Sequence, residues 1–307
     1  MTNRMRVGLA LPQLGPHADA IAVRGFAQRA EELGFGHLFV QQHLFYPHEV
    51  LSGYSARPGL AVPEAYRSVL QPLELLSVVA GWTTEIILGT SILVAGYNRP
   101  VDLAQRITTL DVLSGGRTVF GFSVGWSDEE HAQYDVDPRT RGRRAGEFID
   151  AMKACWGPDP VNHQGEFFSI PASDVDPKPI QRPHPPLMSG MRSEVGLART
   201  AEQFDWWNPA SGTLEQHVET MKLLATMRPA HLAPLRMCWN LFTDPPVVVA
   251  NLRPLSVDEL CVEVAAAAAA GVDAVSIDAN FDPTIMSSRD WIEIPDRLAP
   301  LLDAAVL

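Results

Sequence analysis

Residues 86–126 read IILGTSILVAGYNRPVDLAQRITTLDVLSGGRTVFGFSVGW, and this stretch decides the fold. Its opening, Ile86 to Ala95, is apolar and partly β-branched after the polar Thr83-Thr84-Glu85, which is how a buried strand begins. Gly96 to Pro100 is a turn. Val101 to Leu113 sets Leu103, Ile107, Leu110 and Leu113 on one helical face. Ser114-Gly115-Gly116 stops that helix, because glycine accepts the left-handed conformation of a helix C-terminus. Thr118 to Val124 is a second strand. Strand, helix and strand within about forty residues make a βαβ unit, and its two strands run parallel. Parallel sheets carry ligands at their C-terminal strand ends. Here those ends are Ser91 to Asn98 and Ser123 to Glu130, both rich in small and polar residues.

The alternation continues outward in both directions. Before the block come a strand at Val7–Gln13, a helix at Ala20–Leu33 closed by Gly34, a strand at His37–Gln41 and a helix at Pro72–Trp82. After it come a helix at Thr140–Trp156, strand ends at Leu187–Gly190 and Phe204–Pro209, and helices at Ser193–Glu202 and Leu214–Met227. The chain closes with a strand at Leu235–Thr243, a helix at Val257–Ala270, a strand at Asp273–Asp278 and a helix at Ile294–Leu302. Two segments break the rhythm. Phe45 to Tyr66 is long, polar and interrupted by Pro and Gly, as functional lids are. Gly157 to Pro186 is an irregular, proline-rich excursion with a short hairpin around Gly165. Roughly eight βα units make an α/β fold of the closed (β/α)₈ TIM type, one domain over 1–307 with insertions at the C-terminal strand ends. An open doubly wound sheet competes, but Gly15-Pro16 stands where its dinucleotide fingerprint would be.

Composition narrows the partners. The formal net charge of −12 argues against nucleic acid and anionic membrane, both of which call for a basic stripe. Met1 to Leu14 has no uninterrupted apolar core of a signal peptide, and no run of eighteen apolar residues occurs, so the expected location is cytoplasmic with no membrane partner. Cys155, Cys238 and Cys261 are far apart and read as buried reduced thiols. The histidines show no metal spacing, so no metal is expected, and no convincing nucleophile–base pair occurs.

LGTSILVAGYNRPVDLAQRITTLDVLSGGR, followed by GFSVGWSDEE, resembles the bacterial luciferase-like superfamily, and within it the branch of oxidoreductases that depend on the deazaflavin coenzyme F420. The resemblance runs from about Met5 to Leu302 and favours the barrel. It implies hydride transfer between F420 and a small-molecule organic substrate. An alternative is a monooxygenase using reduced FMN and oxygen; a third is a flavin-binding protein without catalysis. The expected assembly is a homodimer.

Candidate site residues follow from position and from the resemblance. His43 lies just past the C-terminal end of a strand, where an imidazole either is satisfied structurally or exchanges protons near neutral pH. The resemblance implies the catalytic role, beside the reactive ring of the cofactor. Gln42 stands where the family commonly has aspartate, and an amide cannot take a proton. The resemblance also implies a cis peptide between Ser91 and Ile92, in a bulge that backs the cofactor's middle ring. Gly125 and Trp126 follow the next strand. Trp126 aligns with a glutamate of sugar-phosphate-oxidising relatives, and an indole cannot act as that acid. Ser127 and Glu130 have the spacing of a capping box, which gives Glu130 a structural role. Ser189-Gly190-Met191-Arg192-Ser193 puts small residues between a strand end and a helix N-terminus, which suits an anion, and Arg192 can pair with phosphate. Counted as the seventh-strand loop, it holds the place where many barrels bind phosphate. It resembles the family's GGxS phosphate loop, with Ser189 in place of the first glycine. The expected cofactor contacts are therefore Gln42, Ser91, Ile92, Gly125, Trp126, Ser189, Gly190, Met191 and Arg192. One of Arg139, Arg141, Arg143 and Arg144 could also reach a cofactor phosphate.

Overall fold

The computed structural model describes residues 5–306 apart from 51–52, 58 and 248–252. Its strands are β1 (Arg6–Ala10), β2 (His37–Val40), β3 (Ile87–Val94), β4 (Thr118–Ser123), β5 (Val161–Gln164), β6 (Ser169–Ser173), β7 (Leu187–Ser189), β8 (Trp206–Trp207), β9 (Arg236–Phe242) and β10 (Ala274–Asp278). Its helices are α1 (Ala20–Leu33), α2 (Pro72–Ala80), α3 (Pro100–Leu113), α4 (Asp128–Ala132), α5 (Arg141–Trp156), α6 (Glu194–Gln203), α7 (Leu214–Met227), α8 (Val257–Ala269), α9 (Ser288–Leu298) and α10 (Pro300–Ala304). Eight strands close into a barrel in the order β1-β2-β3-β4-β7-β8-β9-β10, and every pairing is parallel. The expected TIM-type barrel is the fold. β5 and β6 form a separate antiparallel hairpin outside the barrel, with Gly165 at its turn.

The chain's two ends seal the barrel. β1 pairs with β10 from Arg6↔Ala274 to Leu9↔Ile277. α1 explains how the helices dock. Asp19 caps its first turn by accepting the Ala22 N–H at 2.8 Å, Gly34 ends it at φ 90°, and Ala22, Val23, Phe26, Ala27 and Ala30 form its buried stripe. Phe26 meets Trp291 of α9 edge-on, ring centroids 6.0 Å apart.

The charged residues of the LDVLSGGR motif work at the N-terminal end of the barrel, away from the strand ends expected to carry chemistry. Asp111 is fully buried. It accepts the Thr118 hydroxyl at 2.7 Å, the Ile180 N–H at 2.7 Å and the Gln181 side-chain amide at 2.7 Å. Arg117 donates to the carbonyls of Ser114, Ile86 and Thr83 at 2.7 to 3.0 Å. The motif thereby fastens the proline-rich insertion to the barrel floor and ties α2 to β3.

Two expectations need correction. The stretch Ile294–Leu302 is not one helix. α9 begins at Ser288, where the Ser287 hydroxyl accepts the Asp290 N–H at 3.2 Å, and Pro300 starts the separate α10. Pro295 sits inside α9, where it has no N–H to return along the helix. The second correction concerns the loop at Ser189–Ser193. It follows β7, which is the fifth strand of the barrel and not the seventh, because β5 and β6 lie outside the barrel. The positional argument from the seventh-strand phosphate loop therefore does not apply to it.

Candidate functional site

A cleft of about 580 Å³ opens over the C-terminal ends of the barrel strands. That size suits a small-molecule or cofactor site. Its floor is a polar network from three strands. Ser91 of β3 donates to Asn208 Oδ1 at 2.7 Å, Asn240 Nδ2 donates to Ser91 Oγ at 2.8 Å, and Asn208 Nδ2 donates to the Cys238 carbonyl at 2.8 Å. The Ser91–Ile92 peptide is cis, and the β3–β4 register shifts between Thr90 and Leu93, so β3 bulges into the cleft at this point.

His43 stands beside this bulge. Its Nδ1 lies 3.3 Å from Glu130 Oε1, and the same oxygen accepts the Leu44 N–H at 2.7 Å. Glu130 is 1% exposed. Burial pushes its carboxyl up, but the His43 hydrogen bond and charge, the Leu44 N–H and the Tyr97 hydroxyl outweigh that and hold it below the usual glutamate range. An ionised carboxylate only accepts, so Nδ1 of His43 carries a proton. Its Nε2 has no protein partner among the described residues. Ser127 caps α4 by accepting the Glu130 N–H at 3.2 Å, as expected. The Glu130 side chain, however, does not close a capping box. It turns into the cleft, because a buried charge needs donors and the His43–Leu44 turn supplies them.

Aromatic rings surround the imidazole. Tyr66 lies 4.2 Å from His43 and Trp126 5.7 Å, centroid to centroid, and Trp126 meets Tyr54 at 5.1 Å. Gln42 lines the cleft, with its Oε1 accepting the Val94 N–H at 2.9 Å, so it fastens the end of β2 to the end of β3. Gly125 has φ 75°, and a Cβ there would come within 2.6 Å of Val94 Cγ1 and 2.9 Å of His131 Nε2. Glycine is required at this bend on both counts.

The opposite wall is cationic. Gly190 and Arg192 line the cleft after β7, and the Ser193 hydroxyl caps α6 by accepting the Gly196 N–H at 3.1 Å. Arg192 donates to the Ser211 hydroxyl. Burial, then the neighbouring Arg57, push its guanidinium below the usual arginine value. Among the described residues no carboxylate pairs with either arginine. Two neighbouring cations that no described carboxylate pairs with, next to a helix N-terminus, have the chemistry to receive an anion.

Of the expected contacts, Gln42, His43, Ser91, Ile92, Gly125, Trp126, Gly190 and Arg192 line one cleft. The side chains of Ser189 and Met191 do not join them. Ser189 Oγ shares a 2.6 Å hydrogen bond with Thr200 of α6, and Met191 packs into the core. In the basic run, Arg141 lines the cleft and pairs with Asp128 at 3.2 Å. Arg139 and Arg143 pair with Asp137 and Glu166 elsewhere, while Arg144 stacks over Phe168 at 4.7 Å. Sequence reading missed Arg57, Tyr54, Tyr66, Asn208, Asn240 and Asp278, all of which line the cleft. The signals available were the lid-like segment 45–66, for the first three, and the polar residues at the ends of three strands, for the others.

A closed parallel barrel with this cleft belongs to a known family. Residues 5–243 match the family described as luciferase-like monooxygenase, and the chain is a member of it. It is 27% identical over 195 residues to an FMNH2-dependent dimethylsulfone monooxygenase of Pseudomonas putida, covering 62% of this chain and 49% of that protein. It is 31% identical over 160 residues to an F420-dependent glucose-6-phosphate dehydrogenase of Kineococcus radiotolerans, covering 51% of this chain and 43% of that protein. An F420-dependent secondary alcohol dehydrogenase solved with an F420–acetone adduct shares the fold, with TM-score 0.77, 14% identity and coverage of 99% and 100% of the two chains. The chain spans less than two thirds of the length of the curated relatives it matches. The family thus includes both F420-dependent and FMNH2-dependent members.

Proposed function

We propose that this chain is an oxidoreductase that moves a hydride between coenzyme F420 and a small organic substrate. The observation that carries the choice of cofactor is the unneutralised pair Arg57 and Arg192. FMN ends at its phosphate, whereas F420 continues past its phosphate into an anionic tail, so a second cation at the mouth favours F420. The Kineococcus radiotolerans relative supports the same choice, and the Pseudomonas putida relative supports the FMNH2 alternative.

The cleft fits a ring-and-phosphate cofactor. Ser91, Ile92, Gly125 and Trp126 would hold the ring, and Gly190, Arg192 and Arg57 the phosphate and tail. Bound there, the deazaflavin supplies the hydride chemistry. The chain's own residues supply orientation and proton handling. Glu130 fixes the His43 tautomer with its proton on Nδ1, which leaves Nε2 to take a proton from the substrate or return one. Tyr54, Tyr66 and Trp126 exclude water from the space above.

Titration of the purified protein with F420 and FMN, each oxidised and reduced, tests this reading. F420 is expected to bind more tightly, and Arg57→Ala to narrow the difference. Submicromolar FMN binding without detectable F420 binding would overturn it in favour of the monooxygenase.

A further inference from the structure

Asp278 lines the cleft, and the proposed chemistry leaves it without a task. It ends β10, opposite Phe242 of β9, and turns its carboxyl into the cleft. Its Oδ1 accepts both the Asn280 N–H and the Asn280 side-chain amide, each at 2.8 Å. Among the described residues nothing donates to Oδ2, and no Lys, Arg or His pairs with the group. Asn280 cannot turn away, because its own Oδ1 accepts the Gln13 and Leu14 N–H groups at 2.9 and 3.0 Å. Asp278 is therefore held in place with one oxygen engaged and the other presented to the chamber.

The chamber around that oxygen is aromatic. Tyr54, Tyr66, Phe242 and Phe281 all line it. Their rings form a chain of contacts, with Tyr54–Tyr66 at 5.9 Å, Tyr66–Phe281 at 5.5 Å and Phe281–Phe242 at 6.3 Å. Asp278 lies near enough to both tyrosine hydroxyls for its charge to add to burial in pushing them up, Tyr54 to about 12. Burial pushes the Asp278 carboxyl up as well, and the two Asn280 bonds only partly oppose this. A carboxylate in such a place lacks a counter-charge, and π faces beside it attract cations. Arg57 and Arg192 also line the cleft, and Arg57 acts on the Tyr54 hydroxyl in the sense opposite to Asp278, so the cleft holds both signs of charge.

We propose that the chamber bounded by Asp278, Tyr54, Tyr66 and Phe281 takes a substrate that carries a cationic nitrogen, with Asp278 as its counter-ion. This deepens the proposed function by naming the substrate class, and it rests on that reading only in treating the occupant as a substrate. The rival chemistry for Asp278 is a neutral acid that donates a hydrogen bond to an uncharged ligand.

Choline and its uncharged carbon isostere 3,3-dimethylbutan-1-ol separate the two. Isothermal titration of each into the protein, with and without saturating F420, is expected to show choline bound about tenfold tighter or more, a difference of about 1.4 kcal/mol. Asp278→Asn keeps an acceptor for Asn280 and should abolish that preference while leaving F420 affinity unchanged. Phe281→Leu should weaken choline binding more than alcohol binding, and it serves where Asp278→Asn fails to fold. Equal affinities, or tighter binding of the alcohol, in the unsubstituted protein would overturn the proposal. So would a choline preference that survives Asp278→Asn. Loss of F420 binding with the choline preference intact would defeat the cofactor reading and leave this one standing.

Discussion

Glu130 Oε1 lies 3.3 Å from Nδ1 of His43 and 2.7 Å from the N–H of Leu44, so one buried oxygen fixes both the imidazole and the backbone that carries it. The arrangement spans two strand ends. His43 follows β2, while Glu130 is in the first turn of α4 after β4. Neither the ring's orientation nor its tautomer depends on a ligand.

If the two residues act as one unit, their substitutions should not add. His43→Asn should lower turnover by about 10²–10⁴ while cofactor affinity stays within a few fold. Glu130→Gln keeps an acceptor for both donors but removes the charge, and should lower turnover by less. The double variant should be no slower than His43→Asn alone. Steady-state kinetics on the three variants decides the matter, and effects that multiply would dissolve the unit.

Gly190 offers a direct probe of the proposed anion site. A Cβ at this position would stand 3.3 Å from Ile92 Cγ2 on the β3 bulge and 3.6 Å from Ser123 Cβ at the end of β4. Gly190→Ala should therefore be tolerated with a modest shift. Gly190→Asp adds bulk and a negative charge where phosphate is expected, and should weaken F420 or FMN binding by more than about tenfold with an unchanged circular dichroism spectrum. Equal cofactor affinity in the Asp variant would move the phosphate elsewhere.

Much of the barrel was legible because period and punctuation agree. α1 and α7 match their expected limits, and the expected β3 and β4 differ from the observed strands by one residue at the ends that move. The candidate site was legible chiefly through the family resemblance, which singled out His43, Gly125 and Trp126, and all three line the cleft. It was illegible where function depends on a side chain choosing between two local partners. Ser127–Glu130 has the spacing of a capping box, and only the approach of Leu44 and His43 draws the Glu130 carboxylate away. Asn280 likewise looks like an ordinary loop residue. Its bonds to Gln13, Leu14 and Leu11 exist only because the barrel brings β1 beside β10. The eight barrel strands and the excursion that carries the β5–β6 hairpin were legible too, and only the place of the Ser189–Ser193 loop was miscounted, since Leu187 opens the fifth barrel strand.

The bend at Gly125 should tolerate no side chain. Its φ of 75° disfavours L-residues, and a Cβ would overlap Val94 Cγ1 at 2.6 Å. Val94, like Trp126, lines the cleft. Gly125→Ala should therefore cost about 1–3 kcal/mol of stability, and should weaken cofactor binding as Trp126 shifts. Denaturant unfolding followed by tryptophan fluorescence checks the first effect. A variant as stable as the parent would show that the β4–α4 bend can relax.

A pH prediction comes from the far end of the barrel. His37 is 3% exposed and stacks on Phe39 at a centroid distance of 4.1 Å, with Cys238 Sγ 4.0 Å from Nε2. Burial, and then the charge of Arg6, lower its pKa from 6.5 to about 3. Above pH 6.5 neither folded nor unfolded chain protonates this group, and the site makes stability no function of pH. Between pH 6.5 and about 3 the unfolded chain binds a proton that the folded chain refuses, so acidification through this window destabilises the fold. The slope from this one site approaches about 1.4 kcal/mol per pH unit. His37→Phe removes the titrating group while keeping a ring against Phe39. The variant carries its own packing change at every pH, but relative to it the unsubstituted protein should lose stability progressively from pH 6 towards pH 4, by about the stated slope. Denaturant midpoints for both proteins across that range measure the difference, and parallel stability curves would mean that His37 titrates alike in the folded and unfolded chains.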